Sequence, residues 1–468
     1  MVNPQFIFMR LFCIGIKEKR TQIKLTMKSI KSLLLLIVLL TAPFAAARIS
    51  AQVTESKADT VYPILEKAQS DLAILNRLKI TGYIQAQFQK ADTAGIESFA
   101  GGNFPANIDN RFAVRRGRVK LTYDYAFSQF VMQVDVTEKG VAIKDAYVSF
   151  TDPWLNCFAV TAGVMDRPFG YEISYSSSSR ESPERTRLFQ TLFPGERDLG
   201  AKLTFQPPKT SRFNFLKIDA GLYNGIGPNA IDFDGFKDFI GHAMINKSSA
   251  NEKIKFGLGV SYYNGGWRQG TKYLYNMSDL ALSTGNVMAF AVDSTSSKVG
   301  TELRRKYYGA DAQVSFDFPF GMTTLRGEYI QGTQPGTSAT TVSPSTQPGD
   351  AYLRNFNGGY FYWIQNIMQS KFQTVVKYDF YDPNTDVAGN NIGVKISGKN
   401  KATNATDIKY STLGLGLVYK WNSQVKITAY YDMVTNETTT ALPNASTLKD
   451  LAKDRKDNVF TLRVQYKF

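Results

Sequence analysis

The sequence predicts an all-β protein, a transmembrane antiparallel β-barrel of about 16 strands preceded by a short amino-terminal helix. Three observations predict it. From Lys79 to Phe468, apolar and polar residues alternate with period two in segments of about ten residues, the length that crosses a bilayer as a tilted strand. The connections between those segments are alternately long and tight. A segment with the order of an export leader precedes them all.

The leader comes first in the chain. Met27-Lys28-Ser29-Ile30-Lys31 makes a charged start, Leu33 to Leu40 is almost wholly apolar, and small residues run on to Ala51. Cleavage is expected after Ala47 or Ala51, the second being preferred. The apolar core is too short for a permanent anchor. No Cys follows it for lipid attachment, and residues 1–26 read as an upstream extension. The expected layout is therefore an extension and signal peptide over 1–51, a periplasmic segment over 52–78, and a barrel over 79–468. Within the middle segment, Leu65, Ala68, Leu72 and Leu75 alternate spacings of three and four, which predicts a helix over 60–79. So short a helix is marginal alone.

Strands are expected at 79–90, 112–126, 128–138, 141–151, 156–166, 196–206, 213–224, 237–247, 254–264, 303–318, 320–333, 357–369, 371–382, 409–421, 424–435 and 457–468. In the first, Ile80, Gly82, Ile84, Ala86 and Phe88 share one face, while Tyr83, Gln85, Gln87 and Gln89 share the other. In the second, Val119, Leu121, Tyr123 and Tyr125 oppose Arg116, Arg118, Lys120, Thr122 and Asp124. Near 308–318, Tyr308, Ala310, Ala312, Val314, Phe316 and Phe318 oppose Asp311, Gln313, Ser315 and Asp317. In the last, Phe460, Leu462, Val464, Tyr466 and Phe468 oppose Thr461, Arg463, Gln465 and Lys467. A soluble sandwich also alternates. Connections separate the two: 91–111, 167–195, 225–236, 265–302, 334–356, 383–408 and 436–456 are long, and those between them are tight. An even strand number returns both ends to one side.

Composition narrows the function. Of 468 residues, 43% are hydrophobic and 20% charged, so neither disorder nor a helical membrane bundle fits. Nearly half of the formal net charge of +15 lies at the start, since eight Lys/Arg and one Glu lie in 1–51. The remaining excess is dispersed, unlike the basic patch of a nucleic-acid binder. Tyr 25 and Phe 32 far exceed Trp 4, as suits strand faces and membrane interfaces. Cys13 and Cys157 are the only cysteines and His242 the only histidine. With no G-x-S-x-G, P-loop or dinucleotide fingerprint, no enzyme, cofactor or metal centre is expected.

Two stretches resemble known sequences. Phe468, Tyr466 and Val464 on alternate positions resemble the carboxy-terminal signature of bacterial outer-membrane barrels, which implies the barrel-assembly machinery as a partner. Arg115-Arg116-Gly117-Arg118-Val119, Lys144-Asp145-Ala146-Tyr147-Val148 and Ala162-Gly163-Val164-Met165-Asp166-Arg167-Pro168-Phe169-Gly170 resemble the phosphate-selective porin O and P family. Ser182-Pro183-Glu184-Arg185 and Arg197-Asp198-Leu199-Gly200 follow in that family's order. The resemblance is good over about 80–206 and looser beyond. It implies a passive, usually trimeric channel in a Gram-negative outer membrane, in contact with lipid and lipopolysaccharide and passing small hydrophilic solutes, phosphate and other anions among them.

Family selectivity rests on basic lumen side chains. Alternation points Arg116, Arg118 and Lys120 inward as one ladder, with Lys202, Lys217, Lys255 and Lys377 also inward. The 167–195 connection, carrying Arg167, Arg180, Arg185 and Arg187, is the candidate to fold into the pore. Glu172, Glu181 and Glu184 in that loop, and inward Asp124, Asp135, Asp311, Asp317 and Glu328, dilute the charge. A weak anion preference is thus expected, next to a plainer reading in which Arg–carboxylate pairs brace the loop. The serines and tyrosines of 171–179 equally suit sugars or other neutral solutes. The alternative function is a non-conducting barrel that binds surfaces through its long loops. A lipid hydrolase would have to be built on His242, and a gated transporter would need a plug domain before the first strand.

Overall fold

The computed structural model describes residues 65–69, 71, 72, 74, 76–283, 285–442 and 448–468. Strands expected from alternation pair antiparallel with their sequence neighbours. They are β1 (Leu78–Ala91), β2 (Asn110–Tyr125), β3 (Ser128–Thr137), β4 (Gly140–Thr151), β5 (Phe158–Asp166), β6 (Arg197–Phe205), β7 (Leu216–Tyr223), β8 (Asp238–Ser248) and β9 (Ile254–Arg268). A hairpin follows, β10 (Leu274–Leu282) and β11 (Gly285–Asp293). The series resumes with β12 (Glu302–Phe318), β13 (Gly321–Gly336), β14 (Ala351–Asn366), β15 (Phe372–Asp382), β16 (Tyr410–Lys420), β17 (Val425–Asn436) and β18 (Val459–Lys467).

β9 pairs with β12, bypassing the hairpin, and β18 pairs with β1 from Tyr83↔Lys467 to Ala91↔Val459. The result is a closed barrel of 16 strands. The chain end completes the seam: Phe468 N donates to Gly82 O at 3.0 Å, and Gly82 N to Phe468 O at 3.1 Å.

Burial runs opposite to that of a water-soluble protein. On β1, Ile80 and Ile84 are 58% and 46% exposed, while Gln85, Gln87 and Gln89 are buried. On β18, Phe460, Leu462, Val464 and Tyr466 face out, while Thr461, Arg463 and Gln465 face the lumen. Tyr125, Phe127, Phe150, Trp154, Phe318, Phe320, Phe372 and Trp421 are exposed around the tight-turn end, where an aromatic girdle meets the bilayer surface. Lipid offers no hydrogen-bond partner, so strands cross it only as a closed ring. A closed ring with outward apolar faces is a membrane-spanning barrel.

Two features differ from expectation. The 265–302 connection holds the β10–β11 hairpin, which sequence reading leaves as a plain loop. Its strands form because apolar residues find partners on neighbouring loops. Tyr275 stacks on Tyr352 at 4.5 Å, Phe290 meets that ring edge-on at 5.0 Å, and Met277 and Met288 pack on Val387, Ile392, Ile408 and Leu451. β10 also runs parallel to β14 over Leu274–Asn276. The helix expected over 60–79 ends earlier. Residues 65–69, 71, 72 and 74 are helical, and Leu78 already belongs to β1. The leader and signal peptide lie outside the described residues.

Gly82 must be small. A Cβ there would lie 2.5 Å from Arg118 O and 2.5 Å from Cζ of Phe468. Gly82→Val is expected to push the terminal ring off the seam and cost about 1–3 kcal/mol as overpacking. A lowered temperature for the folded-to-unfolded mobility shift on detergent gels would register it. An unshifted transition would mean that the seam does not depend on this contact.

Candidate functional site

The segment between β5 and β6 turns into the lumen. It carries two short helices, α1 (Gly170–Ser174) and α2 (Arg187–Leu192). Thr186 caps α2 by accepting from Phe189 N at 3.4 Å. Spacings of three and four place Leu188, Phe189 and Leu192 together, with Phe193 after them. These residues pack with Phe169 and Ile173 against Tyr223, Tyr263, Tyr307, Ile330, Phe356, Tyr360 and Tyr381 of β7, β9 and β12–β15. Tyr263 and Tyr307 stack at 4.7 Å, and Phe193 meets Tyr307 edge-on at 5.8 Å. Burying each large apolar side chain contributes about 1.5–3 kcal/mol, enough together to seat the loop. One side of the lumen is filled in this way.

The loop's polar stretch is tied to β1, β2, β17 and β18 on the opposite wall and to β13 and β14 on the near one. Ser177 Oγ lies 2.6 Å from Tyr83 Oη and accepts from Arg118 at 3.0 Å. Ser178 O accepts from Lys426 at 2.9 Å and from Gln465 at 3.0 Å. Ser182 Oγ meets Tyr362 Oη at 2.7 Å, and Arg326 pairs with Glu181 at 3.2 Å. Backbone N–H groups of Tyr171 and Glu172 both donate to Glu328 at 3.2 Å.

Two carboxylates clamp the segment's second half, each held by three cations. Glu184 receives Arg115 at 2.9 Å and Arg116 and Arg463 at 2.7 Å. Glu196 receives Lys144 at 2.7 Å, Arg197 at 3.0 Å and Arg185. Glu196 sits at φ +65, in the left-handed region, a backbone cost borne because its side chain is over-determined. Two β-bulges supply the third cation of each clamp. Register slips between Gln85 and Ala86 leave Arg115 unpaired beside Arg116, so both turn inward. A slip between Gln133 and Val134 does the same for Lys144 beside Asp145.

The open volume lies along β2–β6. A chamber of about 430 Å³ on the tight-turn side is lined by Arg118, Lys120, Arg185, Arg197, Lys202 and Lys467, with Asp145 and Asp166 as its carboxylates. A second, of about 270 Å³ on the long-loop side, is lined by Arg115, Arg116, Arg118, Lys144 and Arg185, with Asp135, Glu184 and Glu196. Arg118 and Arg185 line both and therefore stand where one passes to the other.

The residues singled out from sequence separate into groups. Arg116, Arg118, Lys120, Arg185 and Lys202 line one or both chambers. Lys217 lies beyond them, 3.1 Å from Asp219. Arg167 is buried under the loop, donating to Pro194 O at 2.9 Å over the Phe193 ring. Arg187 packs between Phe99 and Tyr410 and lines a separate cavity of about 280 Å³ among the long loops. Phe468 and Tyr466 lie outward at the β1–β18 seam. His242 pairs with Asp311 at 3.0 Å in the wall, and Ser261 opposite it accepts from Gly170 N at 2.8 Å. Sequence reading missed Arg115, Lys144, Glu196 and Arg463 as members of the site.

No protein-family model matches the chain, and no curated protein matches it. Among solved structures it is similar to an anion-selective porin from Comamonas acidovorans, with TM-score 0.47 and 12% identity over 84% of this chain and 99% of that one. It is likewise similar to the outer membrane channel DcaP of Acinetobacter baumannii, with TM-score 0.47 and 12% identity over 84% and 97%. OmpT, an outer membrane protein of Vibrio cholerae in its trimer form, gives TM-score 0.45 and 8% identity over 84% and 99%. At such identities residue roles are read from this chain alone.

The Glu184 clamp titrates in a defined direction. Burial pushes its carboxyl up, but Arg115, Arg116 and Arg463 outweigh burial and hold it well below the usual 4.5. A depressed folded-state pKa stabilises above the unfolded value and loses that contribution as pH falls through the folded one. The loop is therefore expected to stay seated at pH 4.5 and to loosen only in stronger acid. Glu184→Gln leaves three guanidinium groups against a neutral amide, at a cost of about 3–5 kcal/mol. Protease cleavage within 167–196 at neutral pH is expected for this variant and not for the parent. Equal resistance would show that the clamp does not hold the loop.

Proposed function

We propose that the barrel is a passive channel for small hydrophilic solutes and that it favours anions. One observation carries the reading: the larger chamber presents six cationic side chains and two carboxylates. Among the loop's own acids, Glu196 offsets part of that excess by pairing with Arg185 and Arg197, while Lys120 and Lys467 have no ion pair among the described residues. Glu184 is spent on three arginines, Glu181 on Arg326 and Tyr175, and Glu172 on Thr186. Arg180 adds to the positive field, since its buried guanidinium has no hydrogen-bond partner among the described residues. Such a lumen raises the local concentration of anions and repels cations, and diffusion does the rest without a catalytic group. Arg118 and Arg185, between the chambers, are the selectivity pair in this reading. The assembly proposed with it is a homotrimer, as the family resemblance implies, and native mass in detergent tests it.

Reversal potential in a salt gradient tests the charge reading. The wild-type channel is expected to be anion-selective. At about 8 Å in water a unit charge biases an ion by roughly twofold, so Lys120→Glu with Lys202→Glu should reverse or abolish the preference. The bias should also shrink at 1 M salt, where screening falls to about 3 Å. A cation-selective wild-type channel would remove the anion reading. Liposomes that fail to swell in small neutral solutes would remove the channel itself and favour surface binding through the long loops.

A further inference from the structure

The wall facing the cations of the larger chamber is made of hydroxyl groups. Residues 174–178 read Ser-Tyr-Ser-Ser-Ser, and all five line the chamber. Ser174 and Ser176 are exposed to it and Ser178 is half-buried. Ser174 Oγ donates to Tyr171 O at 3.0 Å, which leaves its lone pairs open. Ser176 and Ser178 share one hydrogen bond at 3.0 Å, so one of the two hydroxyl protons stays available. The wall is rigid, because Ser177 is held by Tyr83 and Arg118 while the Ser178 carbonyl is held by Lys426 and Gln465. Thr81, Gln129, Gln133 and the Ser149–Thr161 pair continue the neutral polar lining.

An inorganic anion engages the cationic side of this chamber and leaves the hydroxyl side to water. At about 430 Å³ the space also exceeds what such an ion fills and falls within the range of small-molecule sites. We infer that the chamber takes anions that carry hydroxyl groups, namely phosphorylated or carboxylated sugars, in preference to bare inorganic anions. The charged group lies against Lys120 and Lys202, and the sugar hydroxyls exchange hydrogen bonds with Ser174, Ser176 and Ser178. Preorganised donors and acceptors make this exchange favourable, since little ordering remains to be done on binding. The inference rests on the channel reading above and adds the class of solute.

The test is block of chloride current through the purified full-length protein in planar bilayers. Glucuronate is compared with acetate, glucose 6-phosphate with inorganic phosphate, and glucose serves as the neutral control. Each hydroxylated anion is expected to halve the current at a concentration at least about fivefold below its bare counterpart, the worth of one neutral hydrogen bond. Glucose should need far more than either. The triple variant Ser174→Ala, Ser176→Ala, Ser178→Ala should bring both ratios to about one, its chloride current reporting that the barrel has inserted. Should that variant fail to insert, the wild-type ratios decide alone. Equal block within each wild-type pair overturns the inference and leaves the channel intact. Absence of any chloride current overturns the channel reading, and this inference with it.

Discussion

Every backbone amide and carbonyl that enters hydrocarbon must find its partner inside the protein, because the surroundings supply none. In this chain that requirement is met by a seam between residues nearly four hundred positions apart. β1 and β18 pair from Tyr83↔Lys467 to Ala91↔Val459, and the terminal Phe468 bonds to Gly82. An open edge would carry a row of unpaired groups in lipid, so no part of the sheet stands alone. The whole barrel depends on the last strand reaching the first.

Closure dictates the rest of the layout. Once the ring is shut, outward side chains face lipid and inward ones share a water-filled space that sixteen strands make wide. An unfilled lumen of that width discriminates little between small solutes. The β5–β6 segment narrows it by two different means. Apolar packing of Phe169, Leu188, Phe189, Leu192 and Phe193 closes one side, and ion pairs at Glu184 and Glu196 fix the loop on the other. The passage left between them runs along the basic face of β2–β6.

Much of this was legible in sequence because period two is a direct image of a two-sided wall. The strand positions and the even number follow from alternation and connection length, and the inward loop from its arginines and the family resemblance. What escaped had a physical reason in each case. Arg115 and Lys144 sit on β-bulges, where one inserted residue breaks the alternation and sends two adjacent side chains to the same face. Strict alternation assigns one of each pair to lipid. The aromatic fill escaped because Tyr223, Tyr263, Tyr307 and Tyr381 occupy lumen positions, where a period-two reading expects polar groups and takes a tyrosine for one. The β10–β11 hairpin escaped because its partners, Tyr352 at the start of β14 and Val387 and Ile408 in later loops, lie far along the chain.

The bulges also explain how a lumen with many ion pairs keeps a positive field. Around Glu184 three cations share one carboxylate and leave an excess, whereas around Glu196 the Asp145 and Asp166 that also hold Arg197 balance the three cations. Arg115 and Lys144 supply the third cation of each clamp. The same two irregularities that hide the site from a period-two reading thus fix the loop and raise the net charge of the passage. A regular sheet would turn these two side chains into hydrocarbon, where a cation is costly, and would leave Glu184 and Glu196 each with one partner fewer. Anchoring and the proposed selectivity are therefore one arrangement, set by an extra residue in each of two strands.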